Sequence, residues 1–234
     1  MKAMVLAAGH GARLKPLTDS RPKALVEIGG VTLLELVLRR LASAGVNQVI
    51  INLHHHGDQI PAFLEKHGHC GMRRIAFSPE PELLDTGGAL KEAAWFFEDG
   101  RPFVVHNVDV LSDIDLRALI AAHQHSGALA TLAAMQRPTA RPLYFDADNR
   151  LIGRHSETRG NFFVQAPHGE VTPLGFCGIH VISPALMGKM TESGAFPIAD
   201  CYLRLAGMGE AIFAHRVDGA KWRDCGRPED LRPL

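Results

Sequence analysis

Apolar residues follow two rhythms along the first half of this chain. Short unbroken runs at Lys2–Leu6, Val49–Leu53 and Phe103–Val105 read as buried strands, with a further strand near Arg74–Phe77. Between them the spacing turns helical. Leu34, Val37, Leu38, Leu41 and Ala44 predict a helix from Thr32 that stops at Gly45, and helices are predicted over about Asp58–Lys66 and Ala89–Phe97. Asp113 and Asp115 are placed to cap a helix over Leu116–His123. Strands alternating with helices of this length predict right-handed βαβ units, hence an α/β fold with a mostly parallel sheet.

The rhythm changes after about Arg137. Leu143–Phe145 and Leu151–Ile152 predict two strands joined by a hairpin turn at Asp146-Ala147-Asp148-Asn149. The polar, Gly-containing stretch His155–Thr172 predicts a loop or lid, and Gly175–Ile182 a strand. Ser183-Pro184 predicts the start of a helix, with Pro in its favoured first turn. The sequence carries no repeat and no low-complexity linker. One domain over residues 1–234 is expected, divided at about residue 136 into two functional parts.

Charge narrows the partners. Lys and Arg number 25 and Asp and Glu 25, so there is no basic excess of the kind that nucleic acid or an anionic membrane surface requires. Hydrophobic residues at 46% and charged residues at 21% are ordinary for a soluble globular chain. The apolar start, Met1–Ala8, ends at Gly9 with Arg13 following, too short for a secretory leader. No later run approaches the roughly 18 apolar residues that span a bilayer. Cys70, Cys177, Cys201 and Cys225 share no CxxC spacing and sit in or beside apolar stretches, which predicts buried free thiols in a reducing cytoplasm.

The segment Leu6–Thr18 carries the most chemistry. Glycines directly after a first strand let backbone N–H groups approach a phosphate chain closely, and Arg13 adds a fixed fork of donors. Two commoner glycine loops do not fit. The dinucleotide fingerprint needs a glycine where Leu14 stands, and the P-loop needs Gly-Lys-Ser/Thr. Ten residues after Arg13, in Arg21-Pro22-Lys23, Pro stiffens the approach to a single ammonium.

Leu6-Ala7-Ala8-Gly9-His10-Gly11-Ala12-Arg13-Leu14-Lys15-Pro16-Leu17-Thr18, followed by Pro22-Lys23, resembles the signature of sugar-phosphate nucleotidyltransferases. The resemblance implies a Rossmann-like twisted sheet with helices on both faces and a small β-rich substrate lid. It implies that Ala7, Ala8, Gly9 and Gly11 hold a nucleoside triphosphate, that Arg13 assists pyrophosphate departure, and that Lys23 binds phosphate near the reacting centre. Residues up to about 136 would bind the nucleotide and the remainder the sugar. Thr86-Gly87-Gly88 resembles the segment that contacts the nucleobase, and Gly175 and Gly178 fall where the family exposes backbone to the sugar. In His106-Asn107-Val108-Asp109, a carboxylate leaves the end of a strand beside Asn107, a further nucleotide-site candidate. Trp222-Arg223-Asp224-Cys225-Gly226-Arg227-Pro228 resembles the family's terminal motif. It implies that Asp224 joins Asp109 on Mg²⁺, which takes one or two carboxylates beside phosphate oxygens.

Two departures stand out. Val108 precedes Asp109 where the family usually has Gly, and the middle region Arg154-His155-Ser156-Glu157-Thr158-Arg159 lacks the usual sugar-phosphate Lys, leaving Arg154 or Arg159 as substitutes. The thirteen histidines, including His54-His55-His56 and His67/His69, read as structural rather than as a zinc site, since adjacent residues after a strand alternate in direction. The implied enzyme couples a nucleoside triphosphate to a sugar 1-phosphate. Chain size and the Thr86-Gly87-Gly88 segment favour uridylyl transfer to N-acetylmuramic acid 1-phosphate, as does the lack of a C-terminal hexapeptide β-helix. Guanylyltransferases for mannose or heptose 1-phosphate share nearly every motif, and a choline-phosphate cytidylyltransferase is more distant. A non-catalytic nucleotide-sugar-binding homologue would tend to lose Arg13, Lys23 or a metal Asp, all of which are present.

Overall fold

The computed structural model describes residues 1–158 and 160–233. The strands of the first half are β1 (Lys2–Leu6), β2 (Glu27–Ile28), β3 (Val31–Thr32), β4 (Gln48–Leu53), β5 (Arg74–Pro79), β6 (Phe103–Asn107), β7 (Val110–Ser112) and β8 (Ala130–Met135). Its helices are α1 (Leu33–Ser43), α2 (Gln59–His67), α3 (Asp85–Glu92) and α4 (Leu116–Ser126). The second half adds β9 (Leu143–Phe145), β10 (Leu151–Ser156), β11 (Gly160–Phe163), β12 (Thr172–Ile182), α5 (Ile198–Gly207), β13 (Ile212–Arg216) and β14 (Trp222–Asp224).

Four strands form a parallel core in the order β5-β4-β1-β6. The chain leaves β1 toward β4 on one side and later returns to β6 on the other. The carboxyl ends of β1 and β6 are therefore a topological switch point, where ligands collect in open α/β sheets. The long β12 runs antiparallel to β6 and extends the sheet to β9, β10 and β11 on one path and to β8 and β13 on another. Apolar side chains cover both faces. One core contains Met4, Ile50, Phe97, Phe103 and Tyr202, and the other Val5, Leu38, Ile51, Val104 and Leu119. This is the expected α/β class, a twisted Rossmann-like sheet with helices on both faces.

Local chemistry explains the element ends. Thr32 and Glu35 form a reciprocal capping box on α1, with Glu35 N–H donating to Thr32 Oγ1 at 3.2 Å and Thr32 N–H to Glu35 Oε2 at 3.1 Å. The Asp115 carboxylate caps α4 by accepting from the N–H groups of Arg117 and Ala118. Asp113 instead accepts from Lys221 N–H at 2.7 Å, pinning the approach to β14.

Two expectations are corrected and one strand is added. The stretch read as a lid loop is largely a hairpin of β10 and β11, because Phe162 packs on the core while Asn161 and Phe163 on either side of it face out. The helix after Ser183 is a short 3₁₀ run at Pro184–Lys189, and the full helix of this region is α5. The alanine-rich β8 is not among the predicted strands, since Thr131 is its one β-branched residue. Arg159 lies outside the described residues.

Candidate active site

At the carboxyl ends of β1, β4 and β6 the structure opens a cleft of about 490 Å³, lined by Ala8, Gly9, Asn52, Thr86, Asn107 and Asp109 among others. The loop after β1 is built around Gly11, whose backbone is left-handed (φ 62°) and starts the turn Ala12–Leu14. A Cβ on Gly11 would also stand 2.8 Å from Thr18 Cγ2. Gly9 is different: a Cβ there would meet no protein atom within 4 Å, so the space it leaves faces the cleft. Among the described residues, no acceptor within the chain takes the N–H groups of Gly9, His10 or Gly11. These donors stand at the rim of the cleft, as an anion nest requires.

The loop is anchored from behind by groups that sequence reading missed. Ala7 N–H donates to Asn52 Oδ1 at 2.6 Å, Asn52 Nδ2 donates to Glu80 Oε1 at 2.8 Å, and Glu80 Oε2 accepts from Leu84 N–H at 3.0 Å. One buried carboxylate thus ties the phosphate loop to the segment that starts α3. The available signal was a polar residue, Asn52, inside the otherwise apolar run of β4. The histidines after β4 also serve this loop. His54, His55 and His56 make ring-nitrogen hydrogen bonds to the carbonyls of Glu80, Thr18 and Asp19 at 2.8, 3.0 and 3.1 Å. Among the described residues no group of three or more His, Cys, Asp or Glu side chains is arranged to hold a metal ion.

Lys23 is buried, and its ammonium forms an ion pair with Asp109 just past the end of β6. Asp224 reaches the same region from the other end of the chain. The β7–β14 pairing sets Asp224 opposite Val110, and Cys225 N–H donates to Asp109 O at 2.7 Å. Arg13 Nη2 lies 3.8 Å from Asp224 Oδ2. Gly226 makes that approach possible, since a Cβ there would stand 2.5 Å from Arg13 Nη2 and 2.7 Å from Asp224 Oδ1. Asp224 Oδ1 is buried with no hydrogen-bond partner among the described residues, an acceptor left open beside Asp109 and Arg13.

The remaining candidates divide. Thr86 lines the cleft, but its hydroxyl accepts from Ile198 N–H at 2.9 Å and so caps α5. Gly87 and Gly88 owe their identity to packing. Gly87 N–H donates to Phe196 O at 2.8 Å, and a Cβ would stand 2.3 Å from the Phe196 ring at Gly87 and 2.4 Å from Gly194 O at Gly88. Gly87→Ala should therefore cost about 2 kcal/mol or more through overpacking, read as a lower midpoint of thermal unfolding. Gly178 packs against Asn107, with a would-be Cβ 2.8 Å from its Nδ2, and Gly175 against Arg137. Arg154 is ion-paired with Asp200 of α5.

Comparison with known proteins gives relatives of this chain and of its fold. The profile of the nucleotidyl transferase family matches residues 2–145. An N-acetylmuramate alpha-1-phosphate uridylyltransferase of Caulobacter vibrioides is 32% identical over 97% of this chain and 92% of its own. A Neisseria meningitidis protein of the same name is 36% identical over 82% of this chain and 87% of its own. The mannose-1-phosphate guanylyltransferase catalytic subunit beta of Xenopus tropicalis is 30% identical over 99% of this chain, which spans 62% of that relative's length. The crystal structure of HddC from Yersinia pseudotuberculosis shares the fold, with a TM-score of 0.76 at 24% identity, covering 98% of this chain and 95% of that one.

Proposed function

The chain belongs to the nucleotidyl transferase family, and from that premise we propose that it transfers a nucleoside monophosphate from a nucleoside triphosphate to a sugar 1-phosphate, releasing pyrophosphate. The observation that carries this reading is the convergence of Lys23, Asp109, Asp224 and Arg13 beside the open glycine loop. Two carboxylates, a buried ammonium and a guanidinium are what an in-line phosphoryl displacement needs, because that chemistry is mostly positioning and charge neutralisation.

Residue by residue, the N–H groups of Gly9 to Gly11 cradle the triphosphate and Asn107 and Thr86 border the nucleoside. Lys23 neutralises charge near the transferred phosphoryl group, and Arg13 steadies departing pyrophosphate. Asp109 and Asp224 are the residues that would hold Mg²⁺. The unpartnered Asp224 Oδ1 fits that role, as does a set of only two carboxylates, since phosphate-bound Mg²⁺ keeps its other positions for water and phosphate. When bound, the ion supplies further neutralisation of phosphate charge. Among the described residues no helix is long and apolar enough to cross a membrane. Four free cysteines, three of them buried, support a cytoplasmic setting.

For substrates we favour uridylyl transfer to N-acetylmuramic acid 1-phosphate. The two relatives of that name are 32% and 36% identical and this chain covers 92% and 87% of them. Guanylyl transfer to mannose or heptose 1-phosphate is the second reading, supported by the 30% identity to the Xenopus guanylyltransferase. A screen of four triphosphates against a panel of sugar 1-phosphates, read as pyrophosphate release, tests all of this. UTP with N-acetylmuramic acid 1-phosphate should exceed any other pair by about tenfold or more, and a preference for GTP would reverse the ranking. Release from no pair would point to a nucleotide-sugar-binding regulator.

A further inference from the structure

A cavity beside Asp224 carries an unassigned charge. The middle region lacks a lysine, and the Arg154 guanidinium is neutralised by Asp200. Arg137, just after β8, is half-buried, and among the described residues no carboxylate comes within 4.0 Å of its nitrogens. Its guanidinium is nevertheless held on three sides. Nη2 donates to Phe176 O at 2.9 Å, Cζ lies 4.1 Å from the centroid of the Trp222 ring, and Gly175 leaves the slot open, since a Cβ there would stand 2.7 Å from Arg137 Nε. Trp222 is itself fixed by donating Nε1–H to Cys177 O at 2.8 Å. Arg137 Nε is buried and unpartnered among the described residues.

The strand pleat relates this group to the reacting centre. Trp222 and Asp224 are two residues apart on β14 and share a face, so the stacked guanidinium sits roughly 7 Å along the strand from Asp224. Arg13, Arg137, Asp224 and Arg227 line one polar cavity of about 510 Å³, with Glu229 beside Arg227 at 3.8 Å. Partly burying a cation without a counter-charge is costly, so a slot, a stack and an acceptor that together fix one call for an anion in that place. A guanidinium matches phosphate with paired donors.

We infer that Arg137 binds a phosphate group on the Asp224 flank of the site, and that this group belongs to the sugar 1-phosphate. The inference rests on the proposed transferase reading. Pyrophosphate carries the same chemistry, and Arg13 lines the same cavity, so the experiment separates the two sources. Arg137→Met keeps the aliphatic stem in the Gly175 slot and removes the charge. In the full chain it should raise KM for the sugar 1-phosphate tenfold or more while KM for the triphosphate moves less than twofold. Arg137→Lys, which keeps the positive charge, should recover part of that loss. A raised KM for pyrophosphate in the reverse reaction, with the acceptor constant unmoved, would assign the anion site to the leaving group and overturn the acceptor assignment. Calorimetry with inorganic phosphate needs no turnover: Arg137→Met should weaken its binding about tenfold. Unchanged constants and unchanged phosphate binding would overturn the inference, whereas wild-type protein inactive with every pair would fail the transferase reading and leave the calorimetric test standing.

Discussion

Asp109→Asn is expected to lower pyrophosphate release by about 10³-fold or more, at least 4 kcal/mol of transition-state stabilisation. The substitution keeps the side chain's size and removes the charge that would share the metal with Asp224 and that faces the Lys23 ammonium. The structure predicts a cost in folding as well. Lys23 and Asp109 form an ion pair with side-chain exposures of 10% and 20%. Breaking such a pair strands a mostly buried charge, at a cost of about 2 to 4 kcal/mol once the residual exposure is allowed for. The double variant Lys23→Met/Asp109→Asn removes both charges and should regain most of the lost stability without regaining turnover. Urea unfolding and a pyrophosphate assay on the single and double variants check both halves. Turnover within tenfold of wild type in Asp109→Asn would remove Asp109 from the catalytic machinery.

The uneven legibility of this chain has physical causes. The parallel core was readable because each strand is a short apolar run bounded by a helix of fixed period, and Lys2–Leu6, Gln48–Leu53 and Phe103–Asn107 lie where the pattern puts them. The second half was harder. Three of the six residues of β8 are alanines, β11 lies within a polar, Gly-containing stretch, and α5 begins after Pro197 with no cap from a nearby side chain, the capping hydroxyl coming from the distant Thr86. The site divides in the same way. Gly11, Arg13, Lys23, Asp109 and Asp224 carry local motifs, so sequence could single them out. Asn52, Glu80 and Arg137 act through contacts with residues 28 to 45 positions away, and the one local mark among them is Asn52, a polar residue in the apolar run of β4. The motif glycines divide by what surrounds them. Gly87, Gly88 and Gly178 are glycine because Phe196, Gly194 and Asn107 press against them, whereas Gly9 faces open space.

Acid should destabilise this protein through its buried histidines. Burial is the leading cause that pushes His106 down to about 4, His123 to about 4 and His180 to about 3, from an ordinary 6.5. Each is held neutral by its surroundings. His106 Nδ1 donates to Asn107 O at 2.8 Å, with Arg40 and Asp109 acting on it in opposite directions. His180 Nδ1 meets the Tyr202 hydroxyl at 2.9 Å, with His106 adding a further downward push. Ser183 gives its hydroxyl proton to Ala128 O, so His123 Nε2–H donates to Ser183 Oγ and its Nδ1 accepts from Thr131. Between pH 6.5 and about 4 the unfolded chain binds protons at these sites and the folded chain does not. Stability is therefore full above about pH 7.5 and falls as pH drops through that window. The loss is about 2 kcal/mol per histidine by pH 5, a large share of an ordinary domain's 5–15 kcal/mol. Asp99, Glu192 and Asp218, whose carboxyls sit below their ordinary values, add their own loss only at lower pH. Urea unfolding from pH 8 to 4.5 should show a slope approaching three protons, about 4 kcal/mol per pH unit, near pH 5. His123→Gln should reduce that slope by about a third whatever it does to stability at pH 8, because the slope counts protons rather than contacts. A stability profile flat from pH 7.5 to 5 would show that these imidazoles titrate as freely in the folded chain as in the unfolded one.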